Sequence, residues 1–230
     1  MSEQENILGR IREALKLAAP FPGAHHEPAD HLAPGPDTAQ AREWLPGVGQ
    51  SQEQQFDLFA KNCAELKADF QRFSSRDELK AALLKIRDAE QWRRIASHDG
   101  ELTQFACREL GLPTLFTDRG YDAQALEQCD VGITECDVLV AQTGGVAVTS
   151  RSTGGRALTV LPPHHVVLAR REQLVADLPA AFARLQATYA PHFPSMISFI
   201  TGPSRTGDIE RILVLGAHGP KKLTILCLLE

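Results

Sequence analysis

The 230 residues carry 24 Lys and Arg against 29 Asp and Glu, a formal charge of −5. That balance argues against a general nucleic-acid binder, which needs surplus cations to displace phosphate counterions. Hydrophobic residues at 43% and charged residues at 23% suit a globular chain long enough to build a core without staples, and no run approaches the ~20 apolar residues of a membrane-spanning helix.

The N-terminus mixes charges of both signs through its apolar residues and has no secretory apolar stretch, so the expected compartment is the cytoplasm. Residues 2–19 predict an amphipathic helix. Ser2 and Glu5 form a capping box, and Ile7, Leu8, Ile11, Ala14, Leu15 and Ala18 fall on one stripe. Pro20 and Pro22 end it. Residues 20–50 hold six prolines and four glycines with no period, the composition of a connecting segment. His25, His26 and His31 read as part of a solvated loop there, not as metal ligands. The expected organisation is therefore residues 1–50 as helix plus connector and residues 51–230 as one α/β domain.

Helical spacing resumes over 51–72, with Phe56, Phe59, Ala60, Cys63 and Leu66 on one face, and its end, Ala68–Phe73, alternates as a strand. Ser75 and Glu78 cap a further helix whose stripe is Leu79, Ala82, Leu83 and Ile86. Strands are then expected at Arg94–Ala96, Thr114–Thr117, Val131–Thr134, Val138–Ala141, Val146–Thr149, Leu158–Leu161, Val166–Ala169, Ile197–Ile200, Ile212–Leu215 and Leu223–Leu229. Helices are expected at Glu101–Leu110, Asp122–Gln128 and Glu172–Gln186. Helices alternating with apolar runs predict an α/β fold with a mixed, mainly parallel sheet flanked by helices. Between 131 and 169 the strands lie too close for helical crossovers, so an antiparallel or mixed portion is expected there.

The five cysteines (Cys63, Cys107, Cys129, Cys136 and Cys227) are widely spaced and never CxxC. They read as reduced, packed thiols, not as a disulfide framework, a zinc site or an iron–sulfur site. Four glycine-bearing segments are the candidates for chemistry. Thr143, Gly144 and Gly145 lie between two apolar runs, which signals a hairpin or a ligand-facing turn. Ser150–Arg156 carries Arg151 and Arg156, a solvated loop or a basic loop over an acidic ligand. After the run ending at Ile200, Gly202, Ser204, Arg205, Thr206 and Asp208 combine backbone freedom, hydroxyls, a guanidinium and a carboxylate, which suits an anion-binding loop. The fourth segment, Gly216–Lys222, contains His218. His164 is a further candidate, and its neighbour His165 points to the opposite face of any strand, so the two do not ligate one metal. Neither a P-loop spacing nor G-x-G-x-x-G occurs, and the residues leave the identity of any cofactor open.

Gly-Ile-Thr at 132–134, DVLVAQTGGVAVTS at 137–150, LPPHHVVLA at 161–169, ITGPSRTGDIERILVLGAHGPKKLTILCL at 200–228 and ENILGRIREAL at 5–15 together resemble the lactate-utilisation protein C family, the LUD domain. The resemblance implies the α/β fold type of ribose-phosphate isomerases and CoA transferases. It also implies a component of L-lactate oxidation to pyruvate acting beside separate iron–sulfur partner proteins, with a small carboxylate or other anion as ligand. The chain departs at Gly145, where family members often carry a small hydroxyl residue. The alternative reading is a free-standing isomerase- or transferase-like enzyme acting on a small anionic or phosphorylated substrate.

Overall fold

The computed structural model describes Ile7, Glu13, residues 46–206, 214–215 and 218–230. The chain divides into residues 1–46 and 47–230. In the first unit Ile7 and Glu13 are helical, and the rest of the expected helix and connector lies outside the described residues. Everything below concerns the second unit.

Helix α1 (Gln52–Glu65) opens on Ser51, whose side chain accepts from the Gln54 N–H while Gln54 reaches back to the cap backbone. Its stripe buries Phe56, Phe59 and Cys63, each phenyl removing enough apolar surface to stabilise the fold by about 1.5–3 kcal/mol. Strand β1 (Asp69–Phe73) follows, then α2 (Arg76–Glu90), capped by Ser75 and ended by Gln91 in the left-handed region. Next come β2 (Ile95–Ser97), α3 (Glu101–Leu110), β3 (Thr114–Phe116), α4 (Ala123–Glu127), β4 (Val131–Glu135), β5 (Val138–Val140), β6 (Gly145–Thr149) and β7 (His164–Arg170). The chain closes with β8 (Leu174–Val175), α5 (Leu178–Tyr189), β9 (Ile197–Ile200), β10 (Arg205–Thr206), β11 (Val214–Leu215) and β12 (Lys222–Leu228).

Six strands form one parallel sheet in the order β1-β12-β7-β4-β2-β3. Alternation along β7 and β12 sends Val166, Leu168, Leu226 and Leu228 toward α2 and α3. It sends Val167, Ala169, Ile225 and Cys227 toward α1 and a second sheet. That second sheet, β8-β5-β6-β9, is mixed: β5–β6 and β6–β9 are antiparallel and β5–β8 is parallel. Its outer face packs Val138, Val140 and Ala147 on Ala181 and Leu185 of α5.

The expected α/β class and the antiparallel portion after residue 131 are both present. Three local readings differ. Residues 158–161 are turn, not strand: the Val160 and Leu161 N–H groups both donate to the Ala157 carbonyl, and Pro162 and Pro163 cannot supply ladder donors. The helix expected at Glu172–Gln186 starts at Leu178, because Asp177 caps it and Pro179 sits in its first turn, while Leu174 and Val175 pair with β5 instead. The β5–β6 turn comprises residues 141–144, and Gly145 is already paired with Val140 in the ladder.

Candidate functional site

In a parallel sheet, ligands usually sit at the carboxyl edge where neighbouring strands send their connections to opposite sides. Here that point lies between β2, which leads to β3, and β4, which leads toward β7. This edge is filled by the protein's own groups. Glu135 Oε1 accepts from the Leu102 N–H at 2.7 Å and the Thr103 N–H at 3.4 Å, so the helix α3 N-terminus is already capped by a carboxylate. The Glu135 N–H donates to His98 Nε2 at 3.0 Å, which fixes the ring proton on Nδ1. Burial pushes the His98 pKa down despite Glu135, Asp118 and Asp99 nearby. Gly154, at φ +58°, packs so closely that a Cβ there would stand 2.5 Å from the His98 Cβ. Beside this network Glu101 is gripped by Arg76 at 2.6 Å and Arg170 at 2.7 Å, which hold its carboxyl below the usual range.

Of the glycine-bearing segments singled out in the sequence, Ser150–Arg156 thus lies at the carboxyl edge through Gly154, while the Thr143–Gly145 turn and the bend from Gly202 meet at the other end. Because β6 and β9 pair antiparallel, the turn before β6 and the bend after β9 lie side by side against the C-terminal half of α1. Gly144 (φ +62°) approaches so closely that a Cβ would meet the Asn62 Cβ at 2.8 Å, and Gly202 (φ +92°) would meet the Leu66 carbonyl at 2.7 Å. Asn62 Nδ2 donates to the Ala141 and Gln142 carbonyls at 2.9 and 3.0 Å, which ties that turn to the helix. Thr143 Oγ1 accepts from the Gly145 N–H at 3.2 Å. The Ser204 N–H donates to the Pro220 carbonyl at 2.9 Å, so the bend also touches the loop carrying His218. Arg205 and Thr206 form β10, with Arg205 exposed. Asp208 lies outside the described residues.

The Lys221 N–H donates to the Pro163 carbonyl at 2.8 Å, bringing this loop to the start of β7 and to His164. There, at the amino edge of β1, β12 and β7, a cavity of about 420 Å³ is lined by Lys67, Lys85, Lys221 and Lys222 with Asp69 and Glu90. Its volume suits a metabolite-sized ligand. A lobe of about 210 Å³ continues past Glu90 and His164 to Trp92. A third cavity, of about 480 Å³, lies between His218, Val160 and Lys221. The sequence reading found His164 and His218 but passed over Lys67 and Lys85, which sit on other elements. Thr143, Gly144, Gly145, Gly202, Ser204 and Arg205 line none of these three cavities. Gly202 packs on Leu66, next in the chain to Lys67, and Ser204 bonds Pro220, next to Lys221.

His164 is 5% exposed and its Nε2 lies 2.9 Å from Thr224 Oγ1. The ring packs edge-on to Trp92 at 5.3 Å. Burial pushes its pKa down to about 4, with Glu90 opposing and Lys222 assisting, so it is neutral at pH 7. His165, on the opposite face, reaches Thr134 Oγ1 at 2.8 Å and is pushed to about 3 by burial and by His164. The Nδ1 atoms of both rings are buried without a partner among the described residues. Lys222 pairs with Glu90 at 2.5 Å, whereas Lys67, Lys85 and Lys221 have no ion-pair partner among the described residues. The carboxyl edge is thus internally satisfied and the amino edge is not, which makes the amino-edge cavity the candidate ligand site. Among the described residues no group of three His, Cys, Asp or Glu is arranged to hold a metal ion, and no helix is long and apolar enough to cross a membrane.

Comparison with known proteins adds an independent line. The LUD domain family model matches residues 56–228. A lactate utilization protein C of Geobacillus kaustophilus is 30% identical over 211 residues, spanning 81% of this chain and 83% of that protein. Its namesake in Oceanobacillus iheyensis is 28% identical over 187 residues, 76% of this chain and 80% of the other. The crystal structure of a DUF162 family protein from Deinococcus radiodurans superposes with a TM-score of 0.64 at 21% identity, covering 79% of this chain and all (100%) of that one, and so shares the fold.

Proposed function

This chain belongs to the LUD domain family, and from that premise we propose that it takes part in lactate utilisation, working with separate iron–sulfur proteins. The observation that carries the reading is the likeness to proteins named for lactate utilisation over 81% of this chain and 83% of the relative. The partner element is supported by the thiols. All five cysteines are buried and free. Burial holds Cys63 and Cys227 up at about 12, so neither offers a ready thiolate to a cluster. In this reading electron transfer falls to the iron–sulfur partner, and the free buried thiols fit a reducing compartment such as the cytoplasm. In this reading the amino-edge cavity takes a small anionic ligand, with the bend at Gly202–Arg205 tied through Ser204 and Pro220 to the loop that supplies Lys221 and carries His218.

The test is disruption of the gene followed by growth on L-lactate as sole carbon source, with glucose as control. Loss of growth on lactate alone, restored by the intact gene, is the expected result, together with co-purification of an iron–sulfur protein recognised by its visible absorption. Undiminished growth with no such association overturns the reading. A second reading, a free-standing enzyme acting on a phosphorylated or otherwise anionic substrate, is favoured specifically by the lysine-lined cavity. Retained growth on lactate alongside turnover of such a substrate would select it.

A further inference from the structure

We infer that the amino-edge cavity is built for a compact organic dianion, a phosphate monoester or a dicarboxylate, in preference to a monocarboxylate. The inference rests on the placement of the ligand site made above and not on the lactate role. Four lysines from three elements converge on the cavity: Lys67 after α1, Lys85 on α2, and Lys221 and Lys222 at the start of β12. Among the described residues two carboxylates, Asp69 and Glu90, share the lining. Glu90 is engaged by Lys222 at 2.5 Å, and Asp69 accepts from Gln71 Nε2 at 2.7 Å. Four cations less two carboxylates leaves a surplus of two positive charges, in a chain whose net charge is −5. A concave, partly apolar wall raises the potential over such a cluster by focusing its field.

The shape of the site supports the same class. Ala82, Ile86 and Leu223 line the cavity beside the lysines, so a short carbon skeleton has apolar surface to cover. His164 also lines the cavity, its ring held by Thr224 Oγ1 at 2.9 Å. Lysine is a point donor without arginine's planar fork, so the site reads charge and compactness, not carboxylate geometry. Both dianion classes therefore remain within its chemistry, and the experiment separates them.

The experiment is calorimetric titration of the full chain at fixed ionic strength with three probes: glycerol phosphate, succinate and L-lactate. One dianion is expected to bind saturably at one site, at least tenfold tighter than lactate. Preference for glycerol phosphate assigns a phosphate ester and preference for succinate assigns a dicarboxylate. The Lys85→Gln/Lys221→Gln variant is expected to weaken binding about tenfold or more per lysine, the factor of a lost charge-assisted hydrogen bond. Lys80→Gln, which removes a lysine paired with Glu109 outside the cavity, is expected to leave binding unchanged. Lactate binding as tightly as both dianions, no saturable binding, or equal loss in the Lys80→Gln variant overturns the inference. Thermal unfolding of each variant without ligand separates loss of the site from loss of the fold. Because the readout is binding, a failure here leaves the growth phenotype on lactate untouched, and a failed growth test leaves this result standing.

Discussion

Acidification from pH 7 to pH 5 should destabilise this protein through two histidines that the fold keeps uncharged. His164 and His165 sit in the middle of the parallel sheet with pKa values pushed by burial to about 4 and about 3. The unfolded imidazole titrates near 6.5. A base with a depressed folded pKa is protonated first in the unfolded chain. Its contribution to stability is therefore complete above about pH 6.5, is lost as the pH falls toward the folded value, and changes no further below it. Each proton withheld costs about 1.4 kcal/mol per pH unit, so each ring loses about 2 kcal/mol by pH 5, and the pair about 4 kcal/mol. Glu90, Asp69 and Lys222 are the charges felt by His164, and His98, lowered by the same desolvation, adds to the slope. Glu101 and Glu109, whose carboxyls are held low by arginine and lysine, lose stabilisation only below their ordinary range, outside this window. With a urea slope of about 2–3 kcal/mol per M, the midpoint should fall by roughly 1.3–2 M. A His165→Asn variant, which cannot titrate, should fall about half as far between the same two pH values. A wild-type midpoint that moves by less than about 0.5 M, or a variant that keeps the full shift, refutes the assignment of buried neutral rings.

Three other outcomes are expected. Gly154→Ala should lower the melting temperature by roughly 4–8 °C. The alanine must hold φ near +58° with its Cβ 2.5 Å from the His98 Cβ, which costs about 2 kcal/mol or more. Gly47→Ala, with open space around it, should leave the temperature unmoved. Glu135→Gln should destabilise the chain by about 1–2 kcal/mol in urea titration, since it removes the charged cap from the Leu102 and Thr103 N–H groups of α3. Finally, a thiol reagent at pH 8 should label none of the five buried cysteines on the timescale of mixing and all five after denaturation. Prompt labelling of Cys63 or Cys227 in the native chain would contradict their depth in the core.

Most of the fold was legible because its signals are local. Ser75 followed by Glu78 gave the start of α2, and Glu101–Leu110 emerged with both ends as read. The misread strand at 158–161 is a local turn closed on the Ala157 carbonyl, whereas the misread helix start has a cause in residues distant in sequence. Leu174 and Val175 fit the stripe of a longer helix, yet they pair with β5 residues Leu139 and Val140, and Asp177 with Pro179 starts the helix later. The split into two sheets was likewise invisible, since apolar runs do not announce their partners. It also changes the weight of one argument. The segment from Thr201 follows β9, a strand of the small mixed sheet, so the rule that places ligands at the carboxyl ends of parallel strands does not reach it. The same rule applied to β2 would have found His98, and applied to β4 would have found Glu135. Lys67 and Lys85 carried no signal at all, because a lone lysine on a helix or beside one is ordinary until the sheet brings it next to Lys221.

That Lys67, Lys85 and Lys221 have no carboxylate partner among the described residues is itself testable without any ligand. Lys67, Lys85 and Lys221 share a cavity with Lys222, and like charges gathered on a concave wall repel one another. Lysines kept for the fold would be expected to hold partners, as Lys80 holds Glu109 at 2.6 Å and Lys222 holds Glu90. Lysines kept for an anion should instead burden the empty protein, the usual trade between a site and the stability around it. Replacing Lys85 and Lys221 by glutamine should therefore raise the urea midpoint at about 0.01 M salt, where screening extends to about 30 Å. The gain should vanish near 1 M salt, where the screening length is about 3 Å. A variant less stable than the parent at low salt would mean that these two lysines hold the amino edge together, and the case for an anion there would fall with that result.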